Sequence, residues 1–86
     1  ALRALDREDN RRLALQFAGA LVSRDDQLNL DDTVLAMLVT IEAAVAVVDL
    51  TFDLPTAEAD KLIGLCIEMQ NAFLVNRFPN LAKELS

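Results

Sequence analysis

Between Val34 and Val48 the chain reads VLAMLVTIEAAVAVV, fifteen residues with a single charge, Glu42. Val34, Leu38, Ile41, Val45 and Val48 are spaced 4, 3, 4, 3, the repeat of a helix packed lengthwise against another. The pattern predicts a helix over 32–50. At about 100° per residue, Glu42 falls within about 20° of Asp31, Asp49 and Leu35, so it sits in an acidic stripe expected to face water. Ala36, Met37, Ala43, Ala44 and Val47 widen the apolar arc, and only Thr33, Thr40 and Thr51 interrupt it, on the side away from Glu42. A surface helix needs an apolar stripe little wider than about 100°, and this arc covers more than half the circumference. The second helix is therefore expected to be central, packed on helices one and three along one side and on a second copy of itself along the other.

The flanking segments carry the same period. A first helix is predicted over 4–23, with Leu13, Phe17 and Ala20 on one face, Leu2 below them, and Ala14 and Leu21 widening it. SRDDQLNLDD follows as a loop of about eight residues. Asp31 or Asp32 is expected to cap the second helix, with Leu30 placed as a hydrophobic staple. TFDLPTAEAD separates the second and third helices. Asp53 or Thr56 is the expected cap there, with Pro55 in the first turn. The third helix is predicted over 56–77, with a main stripe of Leu62, Cys66, Met69 and Phe73 and a second of Ile63, Ile67 and Leu74. Phe78-Pro79 ends it, because a residue before proline avoids helical angles. Asn80 can then cap a short tail helix over 81–85.

Composition sharpens this picture. Of 86 residues, 53% are apolar, and they are drawn from leucine, alanine and valine, with four Phe and no Trp or Tyr. That is a vocabulary for helices rather than sheets. A chain this short hides only about 60% of its unfolded surface, so one domain over 1–86 carries more apolar residues than it can cover. A second copy is the simplest cover. The length and the acids also weigh against a membrane span. Thr33–Val48 gives sixteen residues where about 20 are needed, Asp31, Asp32 and Asp49 close the ends, and no Lys or Arg flanks them.

The net charge is −6, and residues 25–60 hold nine acids and no Lys or Arg. Such a segment repels phosphate backbones and anionic membranes. Arg3, Arg7 and Arg11 make one basic stripe on the first helix, with Asp6, Glu8 and Asp9 interleaved at ion-pair spacing. A nucleic-acid-associated regulator using that stripe is an alternative reading, disfavoured by the acidic total and the lack of Trp and Tyr for stacking.

Candidate chemistry is sparse. The chain has no His, which removes imidazole bases and the histidine metal ligands. Its one cysteine, Cys66, cannot form an internal disulfide or a CxxC pair, suits a reducing, cytoplasmic setting, and reads as a small buried apolar group. Gly19 and Gly64 are its only glycines, too few for a phosphate-binding loop. DDQLNLDD lacks the spacing of a calcium loop. Glu42 and Asp49 lie two turns apart, about 10 Å along the axis, too far for a shared site on one helix.

The sequence thus implies an all-α bundle of three main helices and a short C-terminal one, with no catalytic, cofactor or metal site. Its expected mode of action is non-enzymatic protein–protein contact, as an adaptor, a chaperone-like binder or a regulator. The self-interface is expected at Val34, Leu38, Ile41, Val45 and Val48, pairing the chain into a homodimer. A partner surface is expected at Leu15, Val22, Ile63, Ile67, Leu74 and Phe78. A second alternative is a pocket for a small apolar ligand lined by Phe17, Met37, Met69 and Phe73.

Overall fold

A computed structural model describes residues 2–85, with side-chain surroundings for residues 7–83. Leu2, Arg3 and Asp6, assigned above to faces of the first helix, have side chains outside that range. The fold is all-α: α1 (Leu2–Arg24), α2 (Leu30–Thr51), α3 (Thr56–Arg77) and the short α4 (Pro79–Leu85). No strand occurs among the described residues. The contacts of the chain fall into two units, Ala1–Glu42 and Ala43–Ser86, and α2 runs unbroken through the boundary as one helix.

In the first unit, the side chains that leave solvent on α1 are small. Ala14 and Ala18 are both 0% exposed, and Asn10, Leu21 and Val22 are half buried along the same side. Of the apolar face read from the sequence, Ala14 and Leu21 lie on this line, whereas Leu13 and Phe17 are exposed large hydrophobics and Ala20 is exposed. Alanine lets two helix backbones come close, which leaves bulkier neighbours on the flanks. On α2 the buried residues are Thr33, Ala36 and Met37. The threonine side of α2 is thus the inward side. Its hydroxyls are satisfied locally: Thr33 Oγ1 donates to the Asn29 carbonyl at 2.7 Å and Thr40 Oγ1 to the Ala36 carbonyl at 2.9 Å. A hydroxyl bonded back to its own helix can be buried without an orphaned donor.

The connection between α1 and α2 is tighter than expected. The Asp25 amide still bonds the Leu21 carbonyl at 3.0 Å, and the Asp25 carboxylate accepts from the Gln27 amide at 3.1 Å. Asn29, not Asp31 or Asp32, caps α2: its side-chain oxygen accepts from the Asp32 amide at 2.9 Å. The two aspartates lie in the first helical turn instead, where negative charge meets the positive end of the helix. Leu30 is the first helical residue and is exposed.

In the second unit, α2 tightens at its end through i to i+3 bonds, Phe52 to Asp49, Asp53 to Leu50 and Leu54 to Thr51. Pro55 holds the N-cap position of α3 with no side-chain cap bond, so neither Asp53 nor Thr56 serves as the cap. Ala59 is buried, and Leu62, Cys66, Gln70 and Leu74 continue its side half buried. Met69 is exposed and Phe73 stands at its edge, so only the first half of the expected main stripe lies on the inward line. At the far end, Phe78 closes α3 with a bond from its amide to the Leu74 carbonyl at 2.8 Å. Pro79 opens α4, a position suited to a residue without an N–H, and the Ala82 amide bonds the Phe78 carbonyl at 3.0 Å. Phe78 and Leu81 are both buried at this corner. No buried side-chain N or O among the described residues lacks a partner.

Two substitutions test this packing. Phe78→Ala removes an aromatic ring from the α3–α4 corner and lowers unfolding stability by about 3–5 kcal/mol, read from urea denaturation. Gly64 sits inside α3 with nothing within 4 Å of an added Cβ. Gly64→Ala therefore gains about 0.5–1 kcal/mol from helix propensity, read from the same curves.

Candidate functional site: an open apolar seam on the second helix

The expected self-interface residues grade from half covered to open along α2. Val34, Leu38 and Ile41 are half buried, while Val45 is 47% and Val48 50% exposed. These two line a shallow hollow of about 310 Å³ with Ala44, Asp49 and Phe52. All five lining residues come from α2 and the turn that ends it. Phe52 is 83% exposed, the highest of any large hydrophobic described. It extends the 4, 3, 4, 3 spacing by a further 4. Phe52 stands in the turn just past the end of α2, beside Val48 in the hollow.

Beside the seam runs the acidic stripe. Asp31 and Asp49 are exposed as expected. Glu42 is not fully in water: it is half buried and accepts a hydrogen bond from Asn10 Nδ2 on α1 at 3.4 Å. That bond is long, and its net contribution is at the low end of about 0.5–1.5 kcal/mol. Leu35, Val39 and Leu50 are also exposed, so the outer side of α2 mixes carboxylates with bare aliphatic groups.

The expected partner surface is divided between the two units. In the first, Leu15 is exposed and Val22 half buried. Leu15 joins Glu8, Arg11, Arg12, Asp31, Val34 and Leu35 around an open groove of about 610 Å³. In the second, Ile63 and Ile67 are exposed and Leu74 is half buried. Phe78 is 6% exposed; it belongs to the α3–α4 corner, because the chain reversal at Pro79 folds α4 over it, and it is not part of an outward surface. Of the residues considered for a small-ligand pocket, Met37 is buried, and Phe17, Met69 and Phe73 stand at the surface. None of the four lines either groove.

Of the basic stripe, Arg3 lies outside the residues with described side chains. Arg7 and Arg11 are exposed, and Arg12 pairs with Asp9 at 3.9 Å in a solvent-exposed contact of the kind worth about 0–1 kcal/mol. Among the described residues no three of His, Cys, Asp and Glu gather as a metal site. Cys66 is a free, half-buried thiol.

Helix α2 is longer than its apolar core suggested. Its 22 residues, with a mean hydropathy of 2.1 over the most apolar 18-residue window, make it long and apolar enough to cross a membrane, and 17% of that window is buried in the chain. Length alone therefore does not decide the matter. Acids mark its course: Asp31 and Asp32 lie in its first turn, Asp49 near its end, and Glu42 between. A carboxylate at the centre of a bilayer costs about 2.5–3.5 kcal/mol on insertion scales.

No protein-family model matches the chain, and neither a curated protein nor a solved structure matches it. The site rests on its own geometry.

The acids on α2 predict that the chain stays in the aqueous fraction when floated with phosphatidylcholine–phosphatidylglycerol vesicles. Co-flotation that survives a carbonate wash would show α2 inserted in the bilayer instead.

Proposed function

We propose that the protein is a non-enzymatic interaction module that acts as a helical homodimer, with α2 as the self-association helix and further apolar surface for another protein. The observation that carries this reading is the exposed apolar face at the end of α2: Val45 is 47%, Val48 50% and Phe52 83% exposed.

The seam from Val34 to Val48, continued by Phe52, is the best candidate for that first contact. It has a packing repeat, half its residues are open, and alanines border it. A twofold dimer sets one patch against itself, so a single apolar strip serves both chains. Exposed aliphatic and aromatic residues of α1 (Leu13, Leu15, Phe17) and of α3 (Ile63, Leu65, Ile67, Met69) offer further apolar surface for a different protein. Such strips suit an amphipathic helix of a partner protein. The charge of −6 favours partners with basic flanks and raises their encounter rate.

Light scattering over a range of concentrations tests the reading, on the wild-type chain and on Val45→Glu. The expected result is a dimer that persists on dilution and dissociates in the variant. Burying one unpaired carboxylate per chain costs at least about 2–3 kcal/mol, so the variant weakens association by about 100-fold or more. A wild-type chain that stays monomeric at every concentration would overturn the proposal.

A further inference from the structure

We infer that the groove between α1 and α2 docks the same groove of a second copy, with Arg11 of each chain paired to Asp31 of the other. This rests on the homodimer proposed above and concerns the first unit alone. One face of each helix builds the groove. Glu8, Arg11, Arg12 and Leu15 stand at i, i+3, i+4 and i+7 on α1, and Asp31, Val34 and Leu35 at i, i+3 and i+4 on α2. These are the spacings of residues that share a helix side. The two helices run antiparallel, since residues 25–29 join Arg24 to Leu30 and Asn10 meets Glu42 at the far end. Height above that connection therefore orders the lining. Asp31 stands one residue past the start of α2, and Val34 and Leu35 four and five. Leu15 stands nine residues before the end of α1, Arg12 twelve and Arg11 thirteen. An acid thus marks the near end of the groove, aliphatic side chains its middle, and two arginines against Glu8 its far end.

Opposite charges at the two ends of an apolar middle make a patch that fits itself. Asp31 and Arg11 straddle the same midpoint in height as Leu35 and Leu15, and at 1.5 Å per residue the two charges lie about 18 Å apart along the groove. In a twofold contact residue i meets j and j meets i. A twofold about that midpoint turns one copy end for end on the other, so Arg11 meets Asp31 twice. Leu15 and Leu35, 52% and 54% exposed, then come together at the centre. Both charges are available for it. Arg11 and Asp31 are exposed, and neither has an ion-pair partner among the described residues, where Arg12 pairs with Asp9. A partner of one charge would match one end of the groove and oppose the other, whereas a copy of this chain matches both. The pairs stand at the rim, where they stay hydrated and set orientation more than affinity.

Charge reversal tests the pairing, read by light scattering over a range of concentrations on full-length chains. Both positions are exposed, so the substitutions leave the helices intact, which circular dichroism checks. Arg11→Glu sets acid against acid at each end, and Asp31→Arg sets arginine against arginine. Each variant alone is expected to associate about tenfold more weakly than the wild type. Mixing the two restores both pairs in a heterodimer. The double variant R11E/D31R restores them in a homodimer and keeps the net charge of −6. Recovery of wild-type affinity in the mixture and in the double variant supports the contact. Single reversals that associate like the wild type overturn it and leave the α2 homodimer standing. A loss that neither mixing nor double reversal recovers overturns it also. A wild-type chain found monomeric overturns both.

Discussion

Everything distinctive about this chain follows from the size of the side chains that its helices bury. Among the described residues the core consists of Ala14, Ala18, Ala36, Met37, Ala59, Phe78 and Leu81, with no large side chain fully removed from solvent. Four of those seven are alanine. Helices that meet through alanine approach closely and gain backbone contact, but each buried methyl contributes little transfer energy at about 25 cal/mol per Å². Leucine, valine and phenylalanine then stand on the flanks. Their burial, worth about 1.5–3 kcal/mol for each fully covered side chain, is left for contacts outside the chain. The bare apolar side chains on α1, α2 and α3 are a consequence of that choice of core, and the self-association proposed for α2 draws on them.

The four helices were legible because their signals are local. Period, the Phe78-Pro79 break and the polar loops placed α3 at the bounds it has, and the others within about two residues. The faces were not legible, for a physical reason. On α1 and α3 apolar residues lie on nearly all sides, so angular counting ranks faces by bulk and chose Leu13 and Phe17. Close packing ranks them by how near the backbones can come, and it chose Ala14 and Ala18. The cap of α2 was misplaced for a similar reason. Asn29, Asp31 and Asp32 are all competent caps, and only the chain path, with Asn29 Oδ1 reaching the Asp32 amide, decides among them.

The threonines of α2 show how a polar letter can mark an inward side. Read as polarity, Thr33, Thr40 and Thr51 interrupt an apolar arc. Read as geometry, each hydroxyl folds back onto a carbonyl about one turn earlier, at Asn29, Ala36 and Val48, so it needs no partner outside the helix. Thr33 is 3% exposed on that account. The apolar seam is thereby displaced by about a quarter turn from the buried line and remains partly open. Had those positions been valine, the two sides of α2 would be indistinguishable, and nothing in the sequence would assign one to the chain's own core.

An apolar strip that open is also a hazard, since a patch that adheres to any similar patch leads to open-ended association. The acids of α2 act against that. Asp31, Asp32 and Asp49 border the strip and need water, so a second helix can lie on it only where it leaves them uncovered. Glu42 lies at the edge, half buried and held by Asn10, which fixes a carboxylate beside the seam without placing it in the contact. Burying any of these charges unpaired costs more than one extra aliphatic contact returns. Charge therefore limits the strip to a few registers, and the nine acids between residues 25 and 60 set a repulsion that each further copy would have to overcome. In the proposed dimer, apolar area supplies the tendency to associate, and the position of the carboxylates favours a closed pair over open-ended growth.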